Sequence, residues 1–129
     1  MFIPQLIETG EGYLLRLQDN LPAVIDVFDR GGTSEAWASL SDFFGGMQWL
    51  LSMQSVVDES KERPNMWSDV VAQGNIIAQS LPAVERAVER EDTNHLVSIF
   101  KEGLVPALRT YQQLFTDVLE YEVKRPTSQ

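Results

Sequence analysis

Apolar residues recur along this chain at intervals of three and four, the spacing that gathers them on one face of a helix. Between about Pro4 and Asp29 the seam is Leu14, Leu17, Leu21, Val24 and Phe28, with Leu6, Tyr13 and Ile25 beside it. From about Ser34 to Lys61 it is Ala36, Leu40, Phe43, Met47, Leu50, Gln54 and Val57, flanked by Trp37, Phe44 and Leu51. From about Met66 to Arg90 it is Val70, Gly74, Ile77, Leu81, Val84 and Val88. From about Asn94 to Lys124 it is Val97, Phe100, Leu104, Ala107, Tyr111, Leu114, Val118 and Tyr121. No segment sustains the two-residue alternation of a strand. The pattern predicts four helices, each about 40 Å long at 1.5 Å per residue. Short connections make successive helices antiparallel, so the expected fold is an all-α, up-down-up-down four-helix bundle in one domain.

The breaks fall where turn chemistry is found. Asp29-Arg30-Gly31-Gly32-Thr33-Ser34 ends the first helix, with a glycine for the left-handed position and Thr33 or Ser34 to cap the next helix. Glu91-Asp92-Thr93-Asn94 is the corresponding break later on, and Ser60 to Asn65 is a polar linker between two hairpins, about 4–61 and 64–124. Pro126 to Gln129 is a short polar tail, expected to fray.

The two hairpins also resemble each other. Leu21-Pro22-Ala23-Val24 recurs as Leu81-Pro82-Ala83-Val84, and the same 60-residue offset places Arg30 on Arg90, Thr33 on Thr93 and Leu40 on Phe100. This predicts an internal duplication. Helix breakers fall together as well: Pro22 with Pro82, and Gly45-Gly46 with Val105-Pro106. A waist of kinked helices is expected there, either a plain curvature of long helices or a hinge or groove for a partner.

Composition narrows the chemistry. The chain has no cysteine, which rules out disulfides, thiolate metal sites and a cysteine nucleophile. Ten basic residues against 19 acidic ones give a net charge of −9, a field that repels nucleic acid and anionic lipid. No apolar run approaches the length of a membrane span, and Met1-Phe2-Ile3-Pro4-Gln5 lacks the basic start of a secretory signal, so a cytoplasmic location is expected. Asp92 and the single histidine, His95, are spaced like metal ligands, but a di-metal bundle needs a second such motif and further carboxylates. Asp92 reads better as a helix cap, and His95 stands too near a helix start for a phosphotransfer histidine. The serines lack a nucleophile elbow and the glycine pairs lack a phosphate-loop lysine, so neither an enzyme, nor a cofactor, nor a metal is expected.

What exceeds the needs of a core is the apolar surface of the second helix. Trp49, Met53 and Val56 lie roughly 90–150° around the helix from the Leu40–Met47–Gln54 line. Gly45 and Gly46 continue that stripe and let another backbone approach. Trp67 follows Pro64 at a helix start, as Phe2 and Ile3 precede Pro4 at another. An arc this wide serves either as core between two neighbouring helices or as an interface, and the residues at the helix starts either fold back onto the bundle end or stand as anchors. Gly45, Gly46, Trp49, Met53, Val56 and Trp67 are the candidate partner-binding set.

Leu21-Pro22-Ala23-Val24 in a long first helix, a short turn, then Glu35-Ala36-Trp37 through Gln48-Trp49-Leu50-Leu51 resembles the small acidic helical bundles encoded beside flagellar genes in Gram-positive bacteria. Those proteins are similar to flagellar export chaperones. The resemblance implies a non-enzymatic chaperone or adaptor and carries no individual binding residue across. The expected function is therefore binding of an amphipathic partner segment or of a second copy. A small-molecule or metal-binding bundle is the alternative, and a phosphotransfer domain a more distant one.

Overall fold

An amphipathic helix is stable in water only when its apolar stripe is covered, and here four stripes cover one another. A computed structural model describes residues 3–123, which form no strand. The elements are α1 (Ile3–Asp29), α2 (Ser34–Asp58), α3 (Trp67–Glu89), α4 (Thr93–Ile99), a π-helical turn (Phe100–Leu104) and α5 (Val105–Tyr121). The last three form one continuous rod. Helix α1 lies beside α2 and this rod, and α3 lies beside the same two. The fold is the expected four-helix bundle. The expectations for Phe2, Lys124 and the Pro126–Gln129 tail fall outside the described residues.

The two turns are built alike. Gly31 and Gly32 take the left-handed conformation, at φ 107° and 84°. The Gly32 amide donates to the Val27 carbonyl at 2.9 Å, and the Asp92 amide donates to the Ala87 carbonyl at the same distance. Glu91 occupies the left-handed position of the second turn at φ 51°, where a side chain is less welcome than none. Thr33 caps α2 by accepting from the Ala36 amide, and Asp92 caps α4 by accepting from the His95 amide. At the far end, the Glu122 carboxylate accepts from the Asn65 and Met66 amides at 2.7 and 2.6 Å. It ties the end of the fourth rod to the start of α3.

Pro22 and Pro82 lie within helices that run on through them, and both are exposed. The fourth rod behaves differently. The Val105 amide donates to the Phe100 carbonyl, five residues back, so this turn holds one residue more than an α-helical turn. Pro106 follows at once. Its ring would crowd the carbonyl four residues earlier and it has no N–H to offer, so a wider turn relieves it. The turn also corrects the predicted seam. Phe100, Leu104, Tyr111 and Val118 are buried as expected, but Leu108, Phe115 and Leu119, outside the predicted seam, face the core as well. Ala107 and Leu114 are only half-buried, and Tyr121 is 70% exposed. Counting by 3.6 per turn fails across a turn that holds an extra residue.

At the centre sits a buried polar side chain. Gln54, 4% exposed, accepts through Oε1 from the Tyr111 hydroxyl at 2.7 Å. Its backbone carbonyl accepts from the Trp67 indole N–H at 3.0 Å. Gly74 faces the amide, and a Cβ there would collide with it. Phe115 packs against both Trp67 and Tyr111, with ring centroids 5.5 and 5.0 Å away. This arrangement corrects two members of the candidate binding set. Trp67 is fully buried because its indole N–H finds an acceptor inside the bundle. Met53 is buried too, its methyl lying where Gly10 of α1 leaves room. A second polar chain crosses from α1 to α5: Thr116 donates to Glu11 at 2.6 Å, Gln112 donates to Thr116 at 2.7 Å, and Gln18 donates to Gln112 at 3.3 Å.

Burial raises the Tyr111 phenol well above its ordinary range. An unfolded tyrosine ionises near 10. Stability from this group is therefore complete below about pH 10 and falls as pH rises beyond it. Tyr111→Phe removes that alkaline loss but leaves the Gln54 amide oxygen unpaired, costing about 1–3 kcal/mol at neutral pH. Urea unfolding of both proteins at neutral and alkaline pH measures the two effects. A second expectation concerns the π turn. Deleting Gly103 leaves a plain α-helical turn with the flanking seams in place, and the protein folds. Deleting Thr110, in the regular part of α5, turns every later side chain by about 100° and abolishes cooperative unfolding. Circular dichroism during urea titration distinguishes the two.

Candidate functional site

The four seams of the bundle are not equally closed. Helices α1 and α2 pack least closely of the neighbouring pairs, and a groove of about 490 Å³ opens between them. Its floor is apolar: Leu17, Leu21, Val24, Leu40 and Phe43. Its rim carries Tyr13, Arg16, Asn20 and Ala23 from α1, with Ser39 and Asp42 from α2.

The seam spacing explains which residues reach the floor. Leu14, Leu21 and Phe28 turn fully into the core, whereas Leu17 and Val24, on the α2 side of the same stripe, are half-buried. In the second hairpin the residues 60 positions on, Ile77 and Val84, are fully buried. Two differences account for this. Ser39 stands where the other hairpin has Ile99, which packs against the core. Tyr13 stands where it has Gln73, whose side chain donates to the Ala107 carbonyl at 3.0 Å and ties α3 to α5. A serine is too short to close the seam from one wall, and Tyr13 places a ring between the helices where Gln73 places a hydrogen bond.

Tyr13 defines one end of the groove. Its ring lies over Gly46, where any Cβ would strike the phenol. Burial raises the phenol's pKa, the Asp42 carboxylate raises it further, and Arg16 acts in the opposite sense. Gly45, by contrast, faces open space. Trp49 is 39% exposed and Val56 53% exposed on the outer face of α2. The six candidate residues thus divide: Trp49, Val56 and Gly45 are at the surface, Gly46 supports the Tyr13 ring, and Met53 and Trp67 belong to the core. Sequence reading missed the groove itself, since Leu17 and Val24 look like ordinary seam positions. The signal was in comparing hairpins, where a small polar residue, Ser39, replaces Ile99.

Two shallower recesses accompany the groove. One, at the bundle end, is lined by Ile3, Pro4, Arg63, Pro64 and Glu122. The other, of about 340 Å³, lies beside the π turn among Pro22, Ile25, Asp26, Asp29, Lys101 and Val105. Both have less apolar lining. Among the described residues no three His, Asp or Glu side chains stand together as metal ligands, and no helix is long and apolar enough to cross a membrane.

Fold and groove define a helical bundle with an open seam along its first hairpin. Residues 5–114 match the family model described as Domain of unknown function (DUF8042), and the chain belongs to that family. Comparison with curated proteins and with solved structures gives no match.

If Ser39 holds the seam open, Ser39→Ile closes it. Burying the added methyl groups is expected to raise stability by about 1 kcal/mol, as chemical unfolding measures. An unchanged or lowered midpoint would mean that α1 and α2 cannot approach.

Proposed function

We propose that this protein is a non-enzymatic interaction bundle, a chaperone or adaptor that covers the apolar face of a partner protein. The observation that carries the reading is the α1–α2 groove, apolar along its floor and polar along its rim. Helix-in-groove recognition uses such a surface. Exposed Trp49 and Val56 extend the apolar area on the adjacent face of α2. The resemblance to acidic bundles of flagellar gene clusters belongs to the same proposal, as does a cytoplasmic location.

The duplication supports it from another side. The two turns share their hydrogen bonds. Ile7 and Trp67, Leu14 and Gly74, Ala36 and Leu96, and Leu40 and Phe100 are buried pairs 60 residues apart. After the π turn the offset becomes 61, as in Met47 and Leu108, Leu50 and Tyr111, and Val57 and Val118. We read the bundle as one hairpin written twice, with one residue inserted into the fourth rod. On that reading the first hairpin opened its seam while the second kept it closed, a divergence that a purely structural domain does not need.

A second reading shares the same groove. Its volume of about 490 Å³ falls within the range of small-molecule sites, about 300–1,000 Å³.

A photo-crosslinking side chain at Ala23, on the groove rim, is expected to give a discrete protein adduct in the native host. The same group at Glu89, on the outer face of α3, is expected to give none. Equal labelling from both positions would remove the interaction reading. A metabolite that raises the melting temperature of the wild type but not of Ser39→Ile would favour the small-molecule reading instead.

A further inference from the structure

Arg16 and Asp42 stand on opposite walls of the groove, and neither forms an ion pair with the other or with any described residue. Three ion pairs are formed elsewhere among the described residues, by Asp26, Asp58 and Asp29. Arg16 and Asp42 both act on the Tyr13 phenol and neither is held in an ion pair, so the groove offers one positive charge, one negative charge and an apolar strip between them. It runs from Tyr13 to Val24, about 16 Å at the helical rise, which matches about three turns of a second helix. Ala23 and Ser39 on the rim are short enough for a helix to settle between the walls.

We propose, resting on the interaction reading, that the occupant is an amphipathic helix of another protein, apolar on its inner face, acidic along the flank that meets Arg16 and basic along the flank that meets Asp42. A second copy of this chain is disfavoured as the occupant, because two molecules of charge −9 repel at the distances over which they would meet. The opposed charges do more than add attraction: they fix which way the helix runs, since reversing it places like charges together. Rim charges in general contribute to orientation and encounter more than to affinity.

The probe is a synthetic helix of about 14 residues with a leucine seam, glutamates along one flank, lysines along the other and no net charge, held helical by a side-chain crosslink because so short a helix is marginal alone. Its fluorescence anisotropy is read against the protein. Wild type binds it, and Ser39→Ile, with the seam closed, does not. Asp42→Asn and Arg16→Gln each weaken binding about threefold, the size expected of a half-exposed ion pair. The exchange Arg16→Asp/Asp42→Arg restores wild-type affinity, because the peptide lies in the reverse direction. As the peptide is neutral, general attraction to an acidic protein does not imitate these results. An affinity indifferent to both side chains overturns the proposal, as does a dimer of this chain that buries the groove in sedimentation. If the Ala23 crosslink still captures a partner while the peptide is not held, the interaction reading stands and the helical occupant falls.

Discussion

The bundle is organised around one buried amide. Gln54 on α2 is held by Trp67 of α3 and Tyr111 of α5, and it lies in a space that Gly74 of α3 leaves empty. A buried amide without partners costs more than the same volume of hydrocarbon, so only one relative placement of these three helices is acceptable. Apolar stripes alone tolerate sliding by a turn; a donor and an acceptor in fixed positions do not. Phe115 extends the lock to the fourth helix, because Gly10 of α1 gives it room beside Met53. Every helix is thus referred to the same level of the bundle, and described buried side-chain polar atoms all find partners.

Most of this architecture was legible from spacing. The seam of α2 is buried at every predicted position, Gln54 included. Both turns fall where glycine, threonine and aspartate place them. What was not legible has definite causes. The seam of the fourth helix departs from expectation at Ala107, Leu114 and Tyr121, though not at Tyr111 and Val118, because a π turn adds a residue, and periodicity cannot register an extra residue inside an unbroken helix. For Trp67 the sequence left open a staple onto the bundle end or an exposed anchor, because its N–H acceptor is the carbonyl of a residue 13 positions earlier, which no local pattern displays. Met53 looked like the same stripe as Trp49 because a helical wheel gives angle and not the size of what stands opposite. The glycine that receives it is on another helix.

The site was less legible than the fold for a related reason. A groove is a failure of two surfaces to meet, and neither surface alone records it. Leu17 and Val24 read as core because their period is that of core residues. Only the opposite wall, where Ser39 supplies no methyl groups, leaves them half-buried. Comparison within the chain supplies what comparison with other proteins does not. Ile77 and Val84, 60 positions on, are fully buried, and Ile99 packs against the core where Ser39 does not.

That difference has an energetic direction. Leaving apolar side chains half-exposed forgoes about 25 cal/mol for each Å² that closure would bury. The cost is small beside the Gln54 lock and the α1–α5 contact, so the bundle sustains it without losing its register. On the two walls Arg16 and Asp42 remain apart with an apolar floor between them. An open seam forgoes apolar burial, and under the proposed function it gains an oriented guest in return. Helix α3 and the fourth rod meet more closely than α1 and α2 do, and under the proposed function the open seam of the first hairpin is where a guest would be received.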